Sequence, residues 1–226
     1  MLYARLATAI KEHGPERVWD EVTTILDPLA QGRTRLGAVR HPLGFICLPV
    51  VRDASPEGVC LHYWTGEDGA NKPTTSPYHC HSWSLLSHIM VGSVGNQRLD
   101  LVPGDRYRLF RANSGRDGDD REIDDLEPTG QLTGIRTGDV EIYRAGETYE
   151  LEAGAFHASV GTHADVSVTL VLGSVVPDAE DISLGPVTLG RHRKVRTNLG
   201  PDEGRRIAGE ILRLRPRVAL SAGSSA

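Results

Sequence analysis

The sequence predicts a mainly β fold flanked by helices at both ends. Three observations carry that prediction. Short apolar runs separated by Gly-, Pro- and Asn-rich turns follow one another from Thr34 to about Val176, the pattern of antiparallel strands. Helical spacing of apolar residues is confined to the first 31 residues and to a stretch opening at Pro201. Neither heptads nor an internal repeat offer a competing architecture. The chain is accordingly divided into an N-terminal helical segment (1–31), a β body (34–190) and a C-terminal helix with a tail (191–226).

The elements follow in order. Leu2, Leu6 and Ile10 recur at i+4 until His13-Gly14-Pro15 breaks the run. Pro15 opens a second helix carrying Val18, Trp19, Val22, Ile25 and Leu26, and Pro28 is expected to end it. Both helices are expected on the outside of the β body. Strands are expected over 44–51, 58–64, 84–94, 140–144, 148–152 and 166–176. The loop 65–77 delivers the chain to His79. The polar, acidic stretch 111–130 reads as a surface loop between strands. The basic cluster 191–196 reads as a solvated face, with contact to an acidic substrate or a partner as the alternative, the run from Pro201 to about Leu214 as a helix, and 220–226 as a frayed tail.

Composition narrows the function. A chain of 226 residues with 39% hydrophobic content is one domain with a sizeable core. A net charge of -5 gives no reason to expect nucleic acid or an anionic membrane as partner. No run of 18 apolar residues and no signal peptide is read. Cys47, Cys60 and Cys80 are an odd, sparse set, which fits inert buried thiols in a reduced, cytoplasmic protein.

The chemistry sits in the histidines. In a strand, residues i and i+2 share a face, so His79 and His81 aim two imidazoles at one point with Cys80 turned away. His157 would complete a facial set of three nitrogen ligands. Imidazole suits Fe, Zn, Cu and Ni, and three protein ligands leave positions open for a substrate.

The spacing around these histidines resembles the two motifs of the cupin superfamily, G-x5-H-x-H-x3-E-x6-G and G-x5-P-x-G-x2-H-x3-N. His79, His81, Gly92, Gly146, Gly154 and His157 fall in register. Pro73, Leu85, Glu152 and Gly161 stand where the family has Gly, Glu, Pro and Asn. Leu85 removes the usual carboxylate ligand, and the resulting three-histidine set resembles cysteine dioxygenase and its relatives. That resemblance implies a single double-stranded β-helix (jelly-roll) barrel, an Fe(II) cofactor with other divalent metals possible, O2 as co-substrate and a small-molecule substrate such as an amino acid or thiol. It fails at the family's Cys–Tyr crosslink and at its Ser-x-His-x-Tyr string, of which only Ser167 survives. Two further readings stay open: a lyase or isomerase using the ion as a Lewis acid, and a ligand-binding cupin without turnover. A homodimer is compatible with such a barrel, with no interface to name.

Around the triad, Trp83 and Leu85 are expected to make an apolar near wall, with Tyr78 at the pocket mouth. His62 points either inward or outward. Tyr149 leads toward His157 as a pocket wall or catalytic group. His163 follows His157 closely enough to orient a ligand, whereas His88 falls on the opposite strand face. Arg40 is placed to meet a substrate carboxylate by the family's upstream Arg.

Overall fold

The computed structural model describes residues 1–52, 56–65, 73–119, 121–161 and 165–216. Two antiparallel sheets form facing walls of one cavity, and helices cover the outer side of the larger sheet. The chain enters through α1 (Leu2–Thr8) and a π-helical turn, Ala9–His13, that ends at Gly14. Helix α2 (Pro15–Ala30) then starts with Pro15 in its first turn, as the sequence predicts. It runs past Pro28 instead of stopping there. Pro28 stands close enough to the C-terminus that Asp27 and Leu29 still accept hydrogen bonds from the closing residues, so only one backbone bond is missing.

The larger sheet has seven strands. In spatial order they are β13 (Thr197–Leu199), β1 (Ala38–Arg40), β2 (Phe45–Val51), β3 (Glu57–Thr65), β10 (Val166–Val175), β5 (Trp83–Val91) and β8 (Thr148–Leu151). Its outer face carries Leu48, Val59, Leu61, Leu170 and Leu172, all fully buried against Leu6, Val18, Val22 and Leu26. Ile207 and Ile211 of α3 (Gly200–Arg213) close the same core. Intervening residues (Cys47, Cys60, His62, Thr169, Val171) face the cavity. Period-two alternation thus splits these strands between two buried surfaces, which is why they read as continuous apolar runs.

The six-stranded sheet runs β11 (Ile182–Pro186), β4 (His79–Cys80), β9 (His157–Gly161), β6 (Ser93–Arg116), β7 (Glu122–Arg144) and β12 (His192–Val195). From β5 to β11 the chain passes repeatedly between sheets. One crossing is at Gly92, between β5 and β6, with φ 69°. A Cβ there would lie 2.4 Å from the carbonyl oxygen of Val166, so only glycine fits. The strand expected over 84–94 is therefore two strands in different sheets.

The stretch 111–130 is not a loop. Residues 111–116 continue β6 and pair with 122–127 of β7, from Arg111↔Glu127 to Arg116↔Glu122. The basic cluster is solvated on one side, where Arg191 and Arg193 stay exposed, but it is also a strand: β12 pairs with the acidic start of β7, from His192↔Leu126 to Val195↔Ile123. Asp125 takes Arg191 at 2.7 Å, and Asp124 takes Arg196 at 2.6 Å. Charge complementarity between two stretches some 70 residues apart stabilises strands that lack an apolar face. No helix among the described residues is long and apolar enough to cross a membrane.

Candidate metal centre

His79 and His157 are direct cross-strand partners of β4 and β9. His81 follows two residues after His79, just before the chain leaves the six-stranded sheet. One ring nitrogen of each lies within 4.8 Å of the others. Ring centroids are 4.4 Å apart for His79 and His157, 4.7 Å for His79 and His81, and 5.2 Å for His81 and His157. The alternation argument thus brings together the three residues it singled out.

The surroundings fix which nitrogen faces inward. His79 Nδ1 lies 2.8 Å from the Pro77 carbonyl oxygen, and His157 Nδ1 lies 3.0 Å from that of Ala155. A carbonyl only accepts, so each Nδ1 carries the hydrogen and each Nε2 keeps a lone pair. A backbone acceptor behind each ring is the arrangement that orients metal-ligating histidines. Behind His81 stands a carboxylate instead: Asp181 Oδ1 is 3.8 Å from its Nδ1 and accepts a 2.8 Å bond from the Ser82 N–H. Burial opposes the charge on Asp181, but His81 and Ser82 outweigh it and hold its pKa below the ordinary carboxylate value.

Electrostatics favour neutral rings. Burial first, then the neighbouring His157 and His81, push His79 well below the usual imidazole pKa. His157, 3% exposed, is lowered to about 4, chiefly by burial and next by His81. Two neutral imidazoles with inward lone pairs, beside the converging ring of His81, suit a divalent transition-metal ion. The donor set therefore fits the group that the motifs imply.

These rings face a cavity of about 460 Å³ between the sheets. Trp83, Leu85, His62 and Tyr149 line it, as expected. The Trp83 indole stacks on His81 at 4.3 Å, and it has room because residue 173 is glycine: a Cβ there would meet the Trp83 ring at 2.7 Å. Leu85 packs with Ile89, Tyr149, Leu151 and Val171 into a small apolar cluster. His62 stacks on Phe45 at 4.1 Å, and Phe45 stacks on His41 at 4.2 Å. Burial raises the Tyr149 phenol pKa, which keeps its hydroxyl protonated.

Other expected residues lie elsewhere. Tyr78 does not line the cavity. Adjacent to His79 in sequence, it turns the other way and meets Tyr107 edge-on at 5.9 Å, beside Leu99, Leu109 and Leu184. Arg40 is also absent from the cavity wall, although Val39 and His41 on either side of it line the wall. Alternation turns Arg40 toward α3, where its charge helps to lower Glu203. His88 is buried off the cavity, with Nδ1 2.9 Å from Thr148 Oγ1. His163 lies outside the described residues.

Sequence reasoning missed several wall residues. Lys194 of β12, Arg196 just past it and Asp124 of β7 reach the cavity, and they were missed because those stretches read as solvent face and loop. Asp181 had no local signal; it is one of several acids in a turn-like stretch. His41 stands just past β1, and Cys47 and Cys60 stand on strands whose inward face could not be told from sequence. No protein-family model matches the chain, and comparison with curated proteins gives no match.

Proposed function

We propose that this chain is a cupin-type metalloenzyme of jelly-roll wind, whose three-histidine centre holds Fe(II) for O2-dependent oxidation of a small polar metabolite such as an amino acid or thiol. One observation carries the reading: His79, His81 and His157 converge, and backbone carbonyls hold two of them in the tautomer that points a lone pair inward. The repeated passage of the chain between facing sheets from β5 to β11 supports the jelly-roll wind.

When bound, Fe(II) supplies the one-electron chemistry that O2 requires and that side chains lack. The protein's own residues do the rest. His79, His81 and His157 would hold the ion at the edge of the cavity. Trp83, Leu85 and Val171 keep water off that side. Ser159 and Thr169 offer hydroxyls to a polar ligand, and Lys194 offers a cation to a carboxylate in place of Arg40. A cavity of about 460 Å³ matches a small metabolite.

The test is elemental analysis of protein purified without oxygen, beside His157→Ala. About one iron per chain, lost in the variant, is expected, followed by O2 uptake with an amino acid or thiol. Zinc or nickel in place of iron, likewise lost in His157→Ala, would move the assignment to Lewis-acid chemistry. A folded chain that retains no histidine-dependent metal would leave a binding protein.

A further inference from the structure

The opposite wall of the same cavity holds a second cluster of ligand atoms. Cys47 of β2 and Cys60 and His62 of β3 each place one donor atom within 4.8 Å of the others. All three face the cavity. The two thiols are in hydrogen-bonding contact, and Cys60 also contacts His62. We propose that Cys47, Cys60 and His62 form a second metal site, independent of the three histidines, that takes a thiophilic ion such as zinc.

The strand register decides between chelation and a disulfide. Cys47 is paired with His62, while Cys60 is paired with Pro49. The cysteines are thus diagonal neighbours, and such pairs have Cα atoms about 7–8 Å apart. Disulfides need a Cα separation of about 4.4–6.8 Å. A metal ion spans the longer gap. Tetrahedral zinc with Zn–S bonds of about 2.3 Å holds its sulfurs about 3.8 Å apart, so the donors need close by at most about 1 Å. The ring stack of His62 on Phe45 and Phe45 on His41 holds the imidazole plane in place. The hydrogen bond between the two sulfurs holds the Cys60 thiol well below the ordinary value and, together with burial, holds Cys47 well above it; Arg52 sets a positive field at both.

Two thiolates and one neutral imidazole leave the fourth position of a tetrahedral ion facing the cavity, the arrangement of an open rather than a closed zinc site. Binding balances simply: one Zn2+ enters, the thiols of Cys47 and Cys60 release two protons, and the site is neutral overall. Cys80 provides an internal control. It is buried, and its Sγ meets backbone groups, the Glu180 carbonyl oxygen at 3.9 Å and Ile182, and no second thiol.

The experiment uses the full chain, reduced and metal-free, titrated with Co2+ as a coloured stand-in for zinc. A sulfur-to-cobalt charge-transfer band is expected to appear, to persist in His157→Ala and to vanish in the double variant Cys47→Ser/Cys60→Ser. A second measurement avoids variants: zinc is expected to slow alkylation of Cys47 and Cys60 by iodoacetamide about tenfold and leave Cys80 unchanged, as read by peptide mass mapping. A wild-type titration without the band, a band that survives the double variant, or alkylation unmoved by zinc would each overturn the site. None of these outcomes bears on the iron assignment, which depends on His157.

Discussion

The two sheets enclose the same cavity but hold their outer faces by opposite means. The seven-stranded sheet turns Leu48, Leu61, Leu170 and Leu172 onto three helices and leaves them fully buried. Among the described residues no helix packs on the six-stranded sheet. Its long β6–β7 hairpin leaves Leu101, Leu132, Val140 and Ile142 substantially exposed and is laced by ion pairs, such as Arg136 with Asp100 at 2.8 Å and Arg111 with Glu180 at 2.6 Å. Burial against helices stabilises the first sheet, whereas the second rests on backbone pairing, ion pairs and a smaller apolar cluster around Leu99, Leu109 and Leu184. The three converging histidines all stand on or beside the second.

That contrast can be broken from the helical side first. Leu170→Ala opens a cavity between sheet and helices and is expected to cost about 3–5 kcal/mol by urea unfolding. A loss under about 1 kcal/mol would mean that the helical layer contributes little. Next comes the partly buried ion pair at the cavity wall, where Arg196 and Asp124 are only 16% and 12% exposed. Arg196→Ala strands the carboxylate and is expected to cost about 3 kcal/mol, whereas Asp124→Asn in the same background should restore part of it.

The metal-free histidine centre should show a pH signature of similar size. His157 titrates near 4 in the folded chain and near 6.5 when unfolded. Between those values the unfolded chain binds a proton that the folded one does not. Stability is therefore full above about 6.5 and declines as the pH falls toward 4, by on the order of 3 kcal/mol from this residue. Urea midpoints across that window should fall less steeply in His157→Ala. The smallest effect is on the bare hairpin: Arg136→Ala removes an exposed pair and should change stability by under about 1 kcal/mol. A larger loss would show that the ion pairs of this sheet act as a network.

The same contrast explains what could be read from sequence. Strands covered on both faces, such as β2, β3 and β10, announce themselves as apolar runs, and the helices as i+4 stripes. The hairpin arms at 111–116 and 122–127 carry few apolar residues, so their pairing rests on partners found only in three dimensions, and they read as loop. Lys194, Arg196 and Asp124 were lost to the site with them. The triad was legible because its signal is local: His79-x-His81 states its own geometry, and the spacing of Gly154 before His157 carries the second half. Tyr78 and Arg40 went astray by alternation, each standing next in sequence to a residue that does face the cavity. No single position in the sequence could say which of the two strand phases of β3 turned Cys60 and His62 inward.

The pairing of His79 with His157 has a consequence in time. These partners are 78 positions apart in the chain, and between them lie β5, the whole β6–β7 hairpin and β8. The short strand β9 meets β4 through this one registered pair and takes the rest of its register from β6, over Val94 to Arg98. A slip of one residue along β6 would turn His157 to the outer face and put Ala158 in its place. The hairpin must therefore be zipped in register before the three imidazoles can meet. The centre is assembled late, and the convergence of its three rings reports that the slowest, longest-range contacts of the fold are already correct.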